Sequence, residues 1–354
     1  MGFTGDERPA AVGFRMPAEW EPHEVTWIAW PHEITDWPSK FAPIPWVYGE
    51  IVRHLSRLER VCILVEDEET EHKAQIILRK SGAQLEVIEF FRIETDRSWT
   101  RDFCPMFLRD ARGHRAMLNW RFNGWAKHPN SGRDDAVTEK LGPRPDLRMW
   151  APKWNGRRVV LEDGSIDVNG AGSLITTEEC LLSPVQARNP GLSCCDMEQI
   201  FREYLGVHHT LWLHHGIAGD DTHGHIDDLA RFTNPHTVVI VAEEDPMDMN
   251  YEPLTENLAL LRKMRDQDGA PLRIETLPMP EPVYFDGQRL PASYANFYIA
   301  NRLVLVPVFN DANDRIALNK LAELFPDRKV VGIAPTDLVL GLGTLHCMTQ
   351  QQPA

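Results

Sequence analysis

The sequence predicts an α/β fold built from about five repeated strand–helix modules, and two observations carry that prediction. Short β-branched or aromatic runs bounded by Gly, Pro or Asp alternate with amphipathic helical stretches. Three of those helices start near residues 194, 255 and 314, spacings of 61 and 59, so a unit recurs at roughly sixty residues. Five such units fit the 354 residues better than two unlike domains, and no low-complexity linker cuts the chain. We therefore expect residues 1–354 to form a single domain.

The elements follow in order. Strand-like runs lie at 25–30, 61–65, 85–90, 159–161, 238–241, 303–308 and 330–333. Between the first two, Ile51, Val52, Leu55 and Leu58 share one helical face. Residues 122–156, rich in Asn, Gly, Pro and Arg, read as a long functional excursion. A second helix opens at Ser193, has Asp196 and Glu198 near its start, buries Met197, Ile200, Phe201 and Leu205, and stops at Gly206. A third follows Thr255 with Leu258, Leu261 and Met264. A fourth follows Asn313 with Ile316, Leu321 and Leu324 and ends before Pro326.

Composition narrows the function. Hydrophobic residues at 43% and charged residues at 25% give a core and an ordinary polar surface. The 52 acids against 37 bases leave a net charge of −15, which argues against nucleic acid as a partner and suits a cationic one. Six cysteines, two of them adjacent at Cys194-Cys195, are too sparse for a disulfide framework and fit a reducing cytoplasm. No apolar run approaches a membrane span; 303–309 is of strand length. The start of the chain lacks a signal-peptide core, and Asp6 breaks the myristoylation pattern after Met1-Gly2.

Polar residues capable of chemistry gather in four turns: 96–105, 161–165, 219–228 and 341–349. In the third, His223-x-His225-x-Asp227 has the ligand types of a zinc hydrolase, yet a Gly- and Asp-rich segment precedes it and no further ligand cluster completes a shell. Alternatively, His225 and Asp227 pair as base and carboxylate. His208, His209, His214 and His215 read as surface or structural. Cys347, at a Gly-rich turn, is a candidate nucleophile, against the plainer reading of a small buried hydrophobe. Cys104 is its rival, although the neighbouring Asp102 would raise a thiol there. Cys62 and Cys180 read as core, and Trp99, Trp120 and Trp125 as core or pocket wall. One thiol, a histidine and several carboxylates suit acyl or amidine transfer, and carboxylates suit a planar guanidinium.

Ordered motifs go further. Met16-Pro-Ala-Glu-Trp-Glu-Pro-His23, Ser98-Trp99-Thr100-Arg101-Asp102, Leu161-Glu162 with Gly164-Ser165, Gly224-His225-Ile226-Asp227, Asn296-Phe-Tyr298 and His346-Cys347 with Thr349-Gln350-Gln351 span nearly the whole chain. In that order they resemble the agmatine deiminase (agmatine iminohydrolase) family, relatives of the peptidyl-arginine deiminases in the guanidine-modifying superfamily. The resemblance implies a five-bladed α/β propeller of ββαβ modules (the pentein fold) that hydrolyses a guanidine to a urea and ammonia. It implies Cys347 as nucleophile, His225 as general acid/base, and Asp102 and Asp227 on the guanidinium nitrogens. Glu162 would support the imidazole or the substrate from the side, with Trp99 against the substrate. No metal or organic cofactor is implied.

The implied partner is a small cationic guanidine, with neither nucleic acid nor membrane, and there is room for a homo-oligomer. Four positions depart from the family pattern: Cys104 and Asp163, each where glycine is usual, and Leu342 and Thr344, in a stretch before His346-Cys347 that is usually Gly-rich and often carries Asn. They bear on substrate choice more than on reaction class. The rivals are an amidinotransferase or other guanidine-modifying hydrolase, a zinc hydrolase on His223, His225 and Asp227, and a non-catalytic propeller. For the substrate's tail, Asp102, Glu162, Asp163, Asp227 and Asp228 predict a negative pocket, and no motif offers a cation to meet an α-carboxylate. An amine-tailed guanidine such as agmatine is therefore expected over arginine.

Overall fold

The computed structural model describes residues 7–142, 147–334 and 337–354. Met1, Gly2 and Asp6, weighed above for targeting and acylation, lie outside the described residues, as do positions 143–146 of the 122–156 excursion.

Five sheets repeat one plan, in which a first strand pairs antiparallel with a second and the second pairs parallel with a third across a helical or irregular crossover. The triples are Met106–Asp110, Arg115–Leu118 and Leu147–Trp150; Ile166–Val168, Ser173–Thr177 and His209–Leu213; Ala230–Asn234, Thr237–Ala242 and Arg273–Pro278; and Tyr298–Ala300, Leu303–Pro307 and Lys329–Ile333. The fifth sheet joins the two ends of the chain. Gln350–Pro353 pairs antiparallel with His23–Ala29, which continues parallel to Arg60–Val65 and Ile88–Arg92.

Contacts run from sheet to sheet in a ring. The helix Ile44–Leu55 lies on Lys329–Ile333, Asn313–Leu324 on Arg273–Pro278, Tyr251–Leu261 on His209–Leu213, and Cys194–Leu205 on the edge strand Phe14–Arg15. Gln350–Pro353 meets Met106–Asp110 and completes the circuit. The chain thus has the modular α/β architecture expected of a five-bladed propeller.

Local chemistry explains the helices. Ser193 caps Cys194–Leu205 in a reciprocal capping box with Asp196, and Gly206 ends it in the left-handed conformation. The helix Glu68–Ser81 escapes a hydrophobic-periodicity search because only Ala74 and Leu78 are buried. Its signals are electrostatic instead: an Asp67 cap, Glu68, Glu69 and Glu71 in the first turn, and Arg79 and Lys80 in the last.

Several sequence expectations need correction. Leu58 falls beyond the helix Ile44–Leu55 and is exposed. Met264 lies past the end of Tyr251–Leu261, and Ile316 faces solvent while Ala317 and Leu321 are buried. Residues 85–87 form a 3-10 turn ahead of the strand Ile88–Arg92. Residues 159–161 form no strand, only an isolated bridge from Val160 to Arg121. Cys180 sits in the short helix Glu178–Leu182 rather than a strand.

Candidate active site

In each of the five sheets the segment leading into the first strand carries polar side chains, and these segments meet. Asp102 lies in the helical turn Thr100–Phe103 before Met106–Asp110. Glu162 and Asp163 precede Ile166–Val168, and His225, Asp227 and Asp228 precede Ala230–Asn234. Asn296 precedes Tyr298–Ala300, and His346 and Cys347 precede Gln350–Pro353. Residues up to 245 positions apart in sequence (Asp102 and Cys347) therefore converge, because the same strand end points inward in every module.

A cavity of about 450 Å³ opens over this convergence, with Asp102 and Cys347 in its lining. Trp99, Trp125 and Leu340 to Gly343 form walls; Asp36, Arg97, Asp221, Phe285 and Asp286 also border it. Cys347 is 8% exposed. Its Sγ lies 3.5 Å from Asp227 Oδ2 and accepts from Asn296 Nδ2 at 3.1 Å. Burial, followed by Asp227, Asp228 and Asp102, pushes the thiol well above its usual range.

His225 is buried between two carboxylates, its Nδ1 3.9 Å from both Asp102 Oδ1 and Asp227 Oδ1. Burial pushes the imidazole down, but Asp102, the neighbouring Cys180 sulfur and Asp227 outweigh it and raise the imidazole well above its ordinary value. Burial also lifts the Asp102 carboxyl to about 6, with His225 opposing and Asp227 assisting. Asp102 is held on both sides: Trp125 Nε1 donates to Oδ2 at 2.8 Å and the Gly164 N–H to Oδ1 at 3.2 Å. Gly164 is required there, since a Cβ would stand 2.7 Å from both Asp102 Oδ1 and His225 Nδ1.

Asp227 and its neighbour Asp228 are shifted in opposite directions. Burial pushes Asp227 up, but the His346 hydrogen bond at 2.8 Å and the His346 and His225 charges hold it below its usual range. Asp228 is raised well above the ordinary value by burial, then by Asp227 and Asp220.

Two further acids are already paired. Glu162 accepts from Arg188 Nε at 3.1 Å, both side chains being fully buried. Asp163 accepts from Arg101 Nη1 at 3.0 Å. Of the five acids expected to make the pocket negative, Glu162 and Asp163 are therefore already answered by arginines. Glu162 still approaches the imidazole. An oxygen of Glu162, Cys180 Sγ and a ring nitrogen of His225 lie within 4.8 Å of one another.

The departures from the family pattern also have local explanations. Asp163 answers Arg101. The Thr344 hydroxyl donates to Asn296 Oδ1 at 2.6 Å. Leu342 adopts φ 66°, the left-handed region that favours glycine, at a cost of roughly 1–2 kcal/mol. Cys104 is buried, and burial followed by Asp134 raises its thiol well above the usual value; it is absent from the cavity lining.

The structure brings together Cys347, His225, Glu162, Asp102, Asp227 and Trp99. It does not assemble the zinc-hydrolase trio, because the His223 ring meets Ser183 at 3.2 Å and Glu179 at 3.8 Å instead. Sequence reasoning did not assign site roles to Asn296, His346, Trp125, Cys180 or Arg188. Asn296 and His346 stand inside motifs that it quoted; Arg188 carried no signal, since nothing local marks its partner 26 residues away.

The comparisons agree with this geometry. Residues 15–353 match the model of the Porphyromonas-type peptidyl-arginine deiminase family. The chain is 35% identical to the agmatine deiminase of Pseudomonas aeruginosa, over 98% of this chain and 97% of that protein. It superposes on the agmatine deiminase of Enterococcus faecalis with a TM-score of 0.89 at 31% identity, covering 100% of this chain and 99% of that one. A cysteine-to-serine form of the C. jejuni agmatine deiminase with substrate bound matches with a TM-score of 0.84 at 30% identity, over 96% of both chains. With the family match running from Arg15 to Pro353, the chain belongs to the Porphyromonas-type peptidyl-arginine deiminases and is a hydrolase of that family.

Proposed function

We propose that this protein is an agmatine deiminase that converts agmatine to N-carbamoylputrescine and ammonia through a thiouronium on Cys347. The observation that carries the reading is one cavity on which Cys347 and Asp102 both open, with Asp227 3.5 Å from the sulfur and His225 between the two carboxylates. A guanidinium lying between Asp102 and Asp227 has its plane fixed and its carbon presented to the sulfur.

Its positive charge also answers the like charges that raise the Cys347 thiol, so substrate binding favours the thiolate. The thiolate attacks the central carbon and a C–S bond forms. His225 delivers a proton to one nitrogen, the C–N bond breaks and ammonia leaves. The now neutral imidazole takes a proton from water, hydroxide adds to the carbon, and the C–S bond breaks to release the ureido product. Residues from 99 to 347 build the site, which supports reading residues 1–354 as one catalytic unit. The free cysteines support a cytoplasmic setting, where a thiol nucleophile stays reduced. Among the described residues no helix is long and apolar enough to cross a membrane.

The tail end of the cavity supports an amine. Asp36, Asp221 and Asp286 line it; Asp36 engages the Arg97 guanidinium, and Asp221 engages Lys127 and His128. An α-carboxylate entering there meets carboxylates and cations that are already engaged. Leaving it unpaired costs several kcal/mol, at roughly 1.4 kcal/mol per factor of ten. Steady-state ammonia release from agmatine, arginine and a peptide-embedded arginine tests this. Agmatine should exceed arginine by roughly a hundredfold or more in kcat/KM. Arginine within tenfold of agmatine sinks the amine-tail reading but leaves deimination standing.

A further inference from the structure

Beside the cavity, three side chains of metal-ligating type converge, and two of them carry a polar atom without a hydrogen-bond partner among the described residues. Glu162, Cys180 and His225 are 0%, 0% and 1% exposed, and one ligand atom from each lies within 4.8 Å of the other two. Glu162 Oε2 and His225 Nε2 are buried without a hydrogen-bond partner among the described residues. Their other atoms are already oriented. Glu162 Oε1 is held by Arg188, and His225 Nδ1 faces Asp102 and Asp227. Unmet polar atoms this deep are costly unless something fills the gap.

We propose that Glu162, Cys180 and His225 form an inhibitory binding site for zinc. Thiolate, imidazole and carboxylate are the donor types that Zn²⁺ accepts, at about 2.3, 2.0–2.1 and 2.0–2.2 Å. Tetrahedral bonds of those lengths separate donors by roughly 3.3–3.7 Å, so side-chain shifts of about an ångström close the shell. Three protein ligands leave a fourth position for water. Arg188, bonded to the non-ligating oxygen of Glu162, and the carboxylates facing His225 Nδ1 provide the outer support that orients metal ligands. Binding forms a Zn–S bond and releases the Cys180 thiol proton to solvent, without oxidation or reduction.

The consequence for activity rests on the role of His225 proposed above. An imidazole ligated through Nε2 can no longer exchange a proton with the leaving ammonia or with water. Zinc would then be an inhibitor of a reaction that needs no metal, acting away from the nucleophile.

The test separates binding from consequence. Zinc is titrated against a competing chromogenic chelator, and Co²⁺ is used as a spectroscopic substitute. Cys347→Ser should bind one zinc as wild type does and show the near-ultraviolet thiolate-to-cobalt band. Cys180→Ser should lose that band and weaken zinc by at least roughly a hundredfold, more than loss of outer support alone. Should Cys180→Ser fold poorly, Glu162→Gln should weaken zinc while retaining the band. In ammonia-release assays after preincubation, wild type should be inhibited, and reversed by chelator. If Cys347→Ser abolishes the band and Cys180→Ser keeps it, the metal sits on the nucleophile and the proposal is overturned. No binding to wild type overturns it equally. Binding through Cys180 that leaves ammonia release intact preserves the site and refutes the role given to His225.

Discussion

Replacing Asn296 separates the positioning of the nucleophile from the stability of its loop. Asn296 is fully buried and, besides its contact with the Asp228 carboxyl, makes three side-chain bonds: Nδ2 donates to Cys347 Sγ at 3.1 Å, and Oδ1 accepts from the Thr344 hydroxyl at 2.6 Å and the His346 N–H at 3.0 Å. Asn296→Ala removes all three. A hydrogen bond to a charged acceptor is worth about 1.5–3 kcal/mol, so loss of the donor to the thiolate should lower kcat/KM by roughly 10- to 150-fold. The His346 N–H retains the Asn296 backbone carbonyl at 3.2 Å, which leaves the Thr344 hydroxyl as the principal orphan. Stability should therefore fall by about 1–3 kcal/mol. Asn296→Asp keeps the acceptor and sets a second anion beside the sulfur. It should unfold closer to wild type yet be the slower enzyme, a dissociation that simple loosening would not give. Thermal unfolding, ammonia release and the pH dependence of Cys347 alkylation read these effects, with the alkylation midpoint moving upward in both variants. An Asn296→Ala protein that is destabilised but alkylates with the wild-type pH profile and keeps wild-type kcat/KM would refute a positioning role.

Cys347→Ser should remove at least about three orders of magnitude of turnover with the fold intact, whereas Cys104→Ser should keep most activity; the reverse pattern would move the nucleophile to Cys104. The Asp102 carboxyl, lifted to about 6, should impose an acid limb on kcat/KM as pH falls through 6 and it ceases to bind the guanidinium. Asp102→Asn should abolish that limb along with most of the activity; an unchanged limb would assign it elsewhere. Stability should follow pH in the opposite sense. Asp36, Asp102 and Asp167, each raised to about 6 mainly by burial, bind protons in the folded state before the unfolded state does. The melting temperature should rise between pH 7.5 and 5.5, then fall at lower pH as groups with lowered values such as Asp227 and Glu59 take up protons. A melting temperature that drops steadily from pH 7.5 contradicts that assignment. Ammonia release should survive dialysis against a strong chelator, and activity lost there and restored by added zinc would favour metal-assisted hydrolysis.

The modular fold was legible because the spacing of the helices survives in sequence. Ser193, Asp196 and Gly206 mark one helix end to end. The strand at 85–90 and the face assigned to Ile316 were misplaced because burial is decided by neighbouring sheets. The residues that converge on the cavity were legible as motifs, since each turn feeding a first strand keeps its own local signature. Their charge states were not. Asp163, counted as part of the pocket's field, is paired with Arg101 62 residues earlier, and Glu162 with Arg188. Cys180 reads as core from its apolar neighbours, and it is buried, yet the fold turns its sulfur toward His225.

Beneath the reactive groups lies a second polar stratum, and its arrangement accounts for the selectivity of the first. Arg231 joins Glu19 to Asp167, Arg101 binds Asp163, and His346 lies 2.8 Å from both Glu19 and Asp227. Buried pairs of this kind add little net stability, because desolvation offsets their attraction, but removing one partner typically costs about 3–5 kcal/mol. Their effect here is geometric. Asp227 Oδ2 is fixed by His346, while Asp227 Oδ1 remains without a hydrogen-bond partner among the described residues. Asp102 is fixed by Trp125 and Gly164. Two carboxylates held this way cannot collapse onto each other or rotate toward solvent. They are complemented by a planar cation with several N–H donors rather than by a compact ammonium. The paired Asp163 and Glu162 add little field at the reaction centre, so discrimination there depends on shape and donor number more than on net charge. Choice among guanidines then falls to the outer cavity, where Asp36, Asp221 and Asp286 face the tail.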